Sequence, residues 1–288
     1  MKVPFGGQEE VKDMAKAREV GAFESVVFFP QGPDIRERTE QWFAACHSYL
    51  EGPVLDGVGE VVRFGSDTGV KFSGEPNLSE FTYDPDRSLQ YSLVVPDDDQ
   101  PGDWHADLRM SLWVDAVSPY ASLVCTSYSK RLSNYEIAVL LRDVVMEHVD
   151  RHSVVYGAVG YGTTLGRPSM EGALRRSWIV GLHQAESVLR GYSWITVVPA
   201  ALAAVVETRA SKFPQLKVQR AGAGDLIVQA GEMPQDYDDA MQAALFECLA
   251  PVLASGTPRK SLEKARPRGI IYRDAREVAP FHLPVEPT

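Results

Sequence analysis

The stretch "RGYSWITVVPAALAAVV", residues 190–206, decides the fold. Its first part, "YSWITVV", is rich in aromatic and β-branched residues, and neither alternating set of side chains is plainly polar. This pattern predicts a strand covered on both faces, with Gly191 before it and Pro199 after it. The Ala- and Val-rich segment after Pro199 predicts a helix that lies close against the sheet. Because residues 191–206 offer no candidate nucleophile and no strongly ionisable group, we interpret them as scaffold.

The order strand, helix, strand, strand occurs twice along the chain, at residues 23–72 and at residues 192–229. Between the two runs, Ser133 and Glu136 form a capping box that opens a strongly amphipathic helix. Hairpin patterns dominate the predicted strands. We therefore predict an α+β fold of two pseudo-equivalent strand–helix–strand–strand halves, with helices packed on one face of a mostly antiparallel sheet or of two packed sheets.

Composition divides the chain into four segments. Residues 1–20 form a polar N-terminal segment, residues 21–165 the first α+β half, and residues 166–255 the second half. Residues 256–288 form a basic, Pro-rich C-terminal tail, and the stretch "GIIYRDA" within this tail has the pattern of a short strand. We therefore expect one α+β body with a polar segment at each end.

The net charge indicates which partners to expect, and the cysteine content indicates the cellular compartment. The 288-residue chain has a net charge of −10, which argues against nucleic acid, because phosphates require a basic surface. No stretch approaches the length of a membrane span, and the polar N-terminus lacks the apolar core of a signal peptide. Cys46, Cys125 and Cys248 are widely spaced and form no CxxC pair, which predicts reduced thiols in a cytoplasmic protein.

Motifs for catalysis or cofactor binding are weak in this sequence. His148 and His152 are spaced to share one helical face, as two metal ligands would, but an apolar stripe runs into His148 and no HExxH motif is present. We interpret His148 as a half-buried histidine and His152 as a residue at the helix C-terminus. The stretch "GYGTTLG" departs from the dinucleotide-binding spacing and is interpreted as a turn. We therefore predict no metal, no cofactor and no catalytic residue.

The loop "DDDQPGDWHAD", residues 97–107, carries five carboxylates and a histidine. Oxygen ligands for a divalent cation are conceivable here, but the spacing of calcium-binding loops is absent, and a solvated acidic loop is the simpler interpretation. Adjacent aromatic and charged side chains also suit a protein interface. We assign partner binding to six residues of this loop: Asp97, Asp98, Asp99, Asp103, Trp104 and His105.

A longer pattern resembles a known family. The strand "LRGYSWITVV", a hairpin, the turn "GDLIVQAGEMPQDYDDA" and the helix "LFECLAPVL" follow one another across residues 185–255. This arrangement resembles the TsiV-like immunity proteins of type VI secretion and related immunity proteins of polymorphic toxins. The matching structural positions are Gly191, Trp194, Gly224, Gly231, Pro234 and Asp236. The resemblance implies a cytoplasmic, non-catalytic protein that neutralises a cognate toxin.

Three functions stay open from the sequence. The first is an immunity protein that binds a cognate toxin with a basic contact surface and binds neither nucleic acid nor membrane. The second is a metal-dependent or nucleotide-handling enzyme that uses the loop Asp97–Asp107 together with His148 or His152. The third is a structural or regulatory homodimer that pairs through an exposed sheet edge.

Overall fold

Ten strands of the computed structural model form one sheet. The structure describes residues 23–56, 62–65, 71–72, 89–96, 104–114, 118–128, 132–161, 168–259 and 270–279. The strands are β1 (Phe23–Pro30), β2 (Val62–Gly65), β3 (Lys71–Phe72), β4 (Leu89–Pro96), β5 (Trp104–Val114), β6 (Tyr120–Ser127), β7 (Tyr156–Tyr161), β8 (Ile195–Val198), β9 (Leu216–Arg220) and β10 (Leu226–Ala230). Their order across the sheet is β3-β2-β4-β5-β6-β1-β7-β8-β10-β9, and every neighbouring pair is antiparallel.

Seven α-helices accompany the sheet in the described part of the chain. They are α1 (Ile35–Cys46), α2 (Gly52–Leu55), α3 (Asn134–Arg151), α4 (Ser169–Leu174), α5 (Trp178–His183), α6 (Ala200–Ala210) and α7 (Asp239–Leu249). A π-helical turn over His47–Glu51 joins α1 to α2. The capping box at the start of α3 is confirmed, since the Glu136 N–H donates to Ser133 Oγ at 3.2 Å and the Ser133 N–H donates to Glu136 Oε2 at 2.8 Å.

The two predicted halves share one sheet, and the seam between them is the pair β7–β8. Gly157 lies opposite Val197 there, and Val159 lies opposite Ile195. A side chain at Gly157 would place a Cβ only 2.9 Å from Val197 Cγ2, so a glycine permits this close pairing. The α+β class with an antiparallel sheet is therefore confirmed.

The two halves share the element order strand, helix, strand, strand, but their strands do not pair in the same way. In the second half, β8 pairs directly with β10. In the first half, β4, β5 and β6 lie between β1 and the hairpin β2–β3. Strands β4, β5 and β6 pair in chain order, as consecutive antiparallel strands commonly do, and β6 is the one of them that lies beside β1.

Helices cover the two faces of the sheet in different halves. Helices α1 and α3 pack on the face that carries Val27, Val197 and Ile227. Helices α4 to α7 pack on the opposite face, against Phe28 and Val228. The sequence predicted helices on one face of the sheet. Each half has its helices on one face, but the two halves use opposite faces, so the sheet as a whole is covered on both. The middle strands are covered on both sides, which explains why neither alternating set in β8 is polar.

Part of the C-terminal tail packs onto the second half. Ile270, Ala275 and Ala279 are buried against the same apolar cluster as α6 and α7. The Ile271 N–H donates to the hydroxyl oxygen of Tyr192 at 2.7 Å. The strand predicted for "GIIYRDA" is wrong in the described residues 270–275, because this backbone bonds to a side chain and then turns into a 3-10 helix at Ala275–Glu277.

A buried ion pair fastens α4 to the segment that leads into β8. Arg190 Nε donates to Glu171 Oε1 and Arg190 Nη2 donates to Glu171 Oε2, both at 2.9 Å. Both side chains are almost fully buried. The Arg190 guanidinium also lies over the ring of Phe28 in β1, 4.2 Å from its centroid, and 5.6 Å from that of Tyr156 in β7. One cation therefore contacts a helix and two strands.

We predict that Glu171→Gln lowers the free energy of unfolding by about 3 kcal/mol or more, because the Arg190 charge would stay buried without its counter-ion. Urea unfolding followed by far-UV circular dichroism measures this loss. Glu207→Gln is the matched control, since it breaks the exposed Glu207–Arg220 pair and should leave the urea midpoint nearly unchanged. Equal midpoints for Glu171→Gln and the wild type would contradict the prediction.

Candidate functional site

The predicted contact loop belongs to the β4–β5 hairpin. Trp104 and His105 begin β5, and their backbones pair with Pro96 and Val95 at the end of β4. The chain that connects these two strands, with Asp97, Asp98, Asp99 and Asp103, lies outside the described residues. The assignment of partner binding to this loop therefore stays a prediction.

Two residues of the family-like pattern lie in the packed interior. Trp194, just before β8, is 1% exposed, and its carbonyl oxygen accepts a 2.8 Å hydrogen bond from the Ala230 N–H. Gly191 is also buried, and a Cβ at this position would lie 2.7 Å from Pro168 Cβ. Gly191 therefore permits a close approach of two chain segments. Both residues serve packing, as expected for scaffold.

Gly224 lies in the turn between β9 and β10, with a φ of +93°, and the remaining three residues of that pattern build a tight turn after β10. Gly231 has a φ of +89°, and a Cβ there would lie 2.5 Å from Asp236 Cβ. Pro234 begins a 3-10 turn, and Asp236 Oδ2 accepts a hydrogen bond from the Met233 N–H at 2.8 Å. Glycine suits position 231 because the left-handed region strains other residues. The turn fixes the direction in which the chain enters α7.

Asp225 is a structural residue that the sequence analysis missed. Its carboxylate is buried in the β9–β10 turn region, and it accepts hydrogen bonds from the Val154 N–H at 2.8 Å and the Ala200 N–H at 2.9 Å. Burial raises the pKa of this carboxyl group, while the two backbone donors act in the opposite direction. Asp225 therefore joins the start of α6 to the segment before β7. In the sequence it is indistinguishable from a solvated turn aspartate.

His148 and His152 lie close together, but the site is a packed core. Their ring centroids are 5.0 Å apart, and Trp42 approaches His148 edge-on at 5.4 Å. His148 is 3% exposed, and neither of its ring nitrogens has a hydrogen-bond partner within the described ranges. Burial lowers its pKa to about 3, so the ring is neutral at pH 7. His152 is half-buried, and its Nε2 lies 2.7 Å from Gln41 Oε1.

The described residues offer few side chains suited to metal binding or to thiol chemistry. In the residues that the structure describes, no group of three or more His, Cys, Asp or Glu side chains could hold a metal ion. Cys46, Cys125 and Cys248 are free and buried. Burial raises the pKa of the Cys248 thiol to about 11 and also raises that of Cys46, which disfavours the reactive thiolate.

None of the helices in the described residues combines the length and the apolar character that a bilayer crossing requires.

Comparison with known proteins identifies a neighbour in fold. No protein-family model matches the chain, and no curated protein matches it. Among solved structures, the Pseudomonas aeruginosa T6SS protein PA0821 is similar, with a TM-score of 0.54 and 12% sequence identity. The similarity covers 95% of this chain and 91% of that protein. At this identity the likeness establishes a common fold, and it extends over both halves of the chain.

We predict that His148 makes the protein less stable as the pH falls from 6.5 to 5. Its folded-state pKa of about 3 lies below the ordinary value of 6.5, so the unfolded chain takes up the proton first and unfolding becomes easier with acidification. Wild type should lose about 2 kcal/mol more than His148→Leu over this interval, as measured by urea unfolding at each pH.

The exposed His183 provides the control for this experiment. His183→Gln should keep the wild-type pH dependence, because the buried ring is still present. If His148→Leu and wild type lose stability in parallel, burial of His148 is not the source of the effect.

Proposed function

We propose that this chain is a non-catalytic immunity protein that binds and neutralises a cognate bacterial toxin in the cytoplasm. The observation that carries the proposal is the fold shared with a T6SS protein over nearly the full length of both chains. The pattern around Gly191, Trp194 and Gly231 that resembles TsiV-like immunity proteins supports it, because these residues have structural roles in the fold.

The burial of His148 and of the three cysteines favours a binding function over a catalytic one. The neutral ring of His148 and the thiols of Cys46, Cys125 and Cys248 are enclosed in the core, where no substrate would meet them. A general acid or base needs a pKa near the operating pH and reach to a substrate proton. His148 meets neither condition, because burial both lowers its pKa and shields the ring.

Charge supports a basic toxin as partner. The chain has a net charge of −10, and helices α1 and α3 expose the carboxylates of Glu37 and Asp150. A field of one sign accelerates encounter with a protein of the opposite sign. The acidic loop after β4 adds Asp97, Asp98 and Asp99 to this field, which is why we place it in the contact.

The direct test uses the protein encoded by the reading frame next to this gene. Co-expression of the present chain should rescue growth of bacteria that produce that protein, and the two purified proteins should bind. If the neighbour's product is not toxic, or if it binds with no effect on its toxicity, the proposal is wrong.

We predict that the triple variant Asp97→Lys, Asp98→Lys, Asp99→Lys binds the toxin at least tenfold more weakly, mainly through slower association at low salt. Stopped-flow kinetics at several ionic strengths measure the effect. The control makes the same charge change at three exposed positions outside the loop, Glu207→Lys, Asp239→Lys and Glu277→Lys. Equal losses in both variants would mean that net charge matters and that the loop is not a contact.

A further inference from the structure

Helices α1 and α3 meet along a line of side-chain contacts that we call the α1–α3 seam. Four contacts follow one another along it: Arg38 with Ser153, Gln41 with His152, Trp42 with His148, and Tyr49 with Glu147. The residue numbers fall along α3 as they rise along α1, so the two helices run antiparallel. The Arg38 end of the seam lies at the C-terminus of α3, and both histidines belong to this end.

His148 is enclosed at the centre of the seam. Its ring centroid lies 5.4 Å from that of Trp42 on α1 and 6.3 Å from that of Phe29 on β1. Neither ring nitrogen has a hydrogen-bond partner among the described residues. A protonated imidazole carries two N–H donors, and here both would be buried without an acceptor. The closed seam therefore suits only the neutral ring.

The carboxylates around the seam are already engaged within the described part of the chain, and none is left to balance a proton on His148. Their partners are Arg38 for Asp34, the Gln41 amide for Glu37, Arg151 for Glu147, the Gly222 N–H for Asp150, the Val154 and Ala200 N–H groups for Asp225, and His47 for Glu51. Strand β1 contributes the apolar ring of Phe29 to this contact.

Cations also surround the two histidines. Arg38 reaches across from α1, where its Nε donates to Asp34 Oδ2 at 2.6 Å, and Arg151 lies on α3 itself. The rings of His148 and His152 are only 5.0 Å apart, so a proton on one opposes a proton on the other. Burial and Arg38 lower the pKa of His152, although Glu37 and Asp34 act in the opposite direction.

We infer that the α1–α3 seam is an acid-sensitive joint, in which proton uptake by His148 and His152 below pH 6.5 releases α1 from α3 while the sheet stays folded. Opening begins at the Arg38 end, because the histidines and the arginine are gathered there. The sheet stays folded because backbone hydrogen bonds, which carry no titrating group, pair β1 with β6 and β7. The inference concerns a local opening and is independent of the proposed toxin binding.

The direction of the response follows from proton linkage. A histidine whose pKa is lowered in the closed seam binds a proton more readily once the seam opens, so acid favours the open form. For His148 the pKa is about 3 in the closed form and returns to 6.5 in water. This difference alone raises the ratio of open to closed molecules about 16-fold between pH 6.5 and pH 5.

Hydrogen exchange of the full chain at pH 6.5 and pH 5, read by mass spectrometry and corrected for the intrinsic rate at each pH, tests the inference. Peptides from α1 should lose protection at least tenfold on acidification, and peptides from β1 and β6 less than threefold. His148→Leu should abolish most of the extra loss in α1. His152→Gln, at a half-buried position, should reduce that loss at least twofold and serves as the second variant if His148→Leu does not fold.

Tyr49→Phe is the matched control, because it removes the hydrogen bond to Glu147 at the other end of the seam and leaves both histidines in place. It should lower the protection of α1 by the same factor at both pH values. If peptides from α1 and β6 lose protection in parallel, acid unfolds the chain as a whole and the inference is overturned. It is also overturned if the folded histidine variants keep the full wild-type response to pH.

Discussion

The buried ion pair between Arg190 and Glu171 is the interaction on which the arrangement of the second half depends. Two carboxylate–guanidinium hydrogen bonds and the faces of Phe28 and Tyr156 surround a charge that has left water. Removing two charges from water costs several kcal/mol per ion, and the two hydrogen bonds offset this cost only in part, because Arg190 Nη1 has no hydrogen-bond partner within the described residues. Since Gly181 lies on the same carboxylate, the position of α5 follows from this pair.

A sheet covered on opposite faces by two groups of helices leaves little room for a reaction site at its centre. Strand β8 has four buried residues, and β1 presents Val27 to one helical layer and Phe28 to the other. The ring of His148 and the thiols of Cys46, Cys125 and Cys248 lie within these layers. Under the proposed function, we therefore place recognition on the outer helix surfaces, the strand ends and the open part of the sheet.

Patterns within a few adjacent residues predicted local structure well. They did not predict which residues distant in sequence pair with each other. The capping box at Ser133 and the doubly covered strand β8 follow from a few adjacent residues, and both are present. The partner of Arg190 is 19 residues away in a short helix, and no periodicity marks it. The neighbourhood of Trp113 and Tyr120 depends on the register of β5 with β6, which the alternation of apolar residues indicates only within each strand.

Under the function proposed above, the acidic loop and the surface that holds the partner would have different physical tasks in recognition. Charge–charge attraction acts over about 8–10 Å at physiological salt, so carboxylates chiefly govern how fast a basic partner arrives. Contact with an aromatic ring acts only after water has left, so it governs how slowly the partner departs. A protein that must neutralise a toxin completely needs both fast capture and slow release. In the proposed complex, the net charge of −10 would act on the first of these steps, the capture of a basic partner.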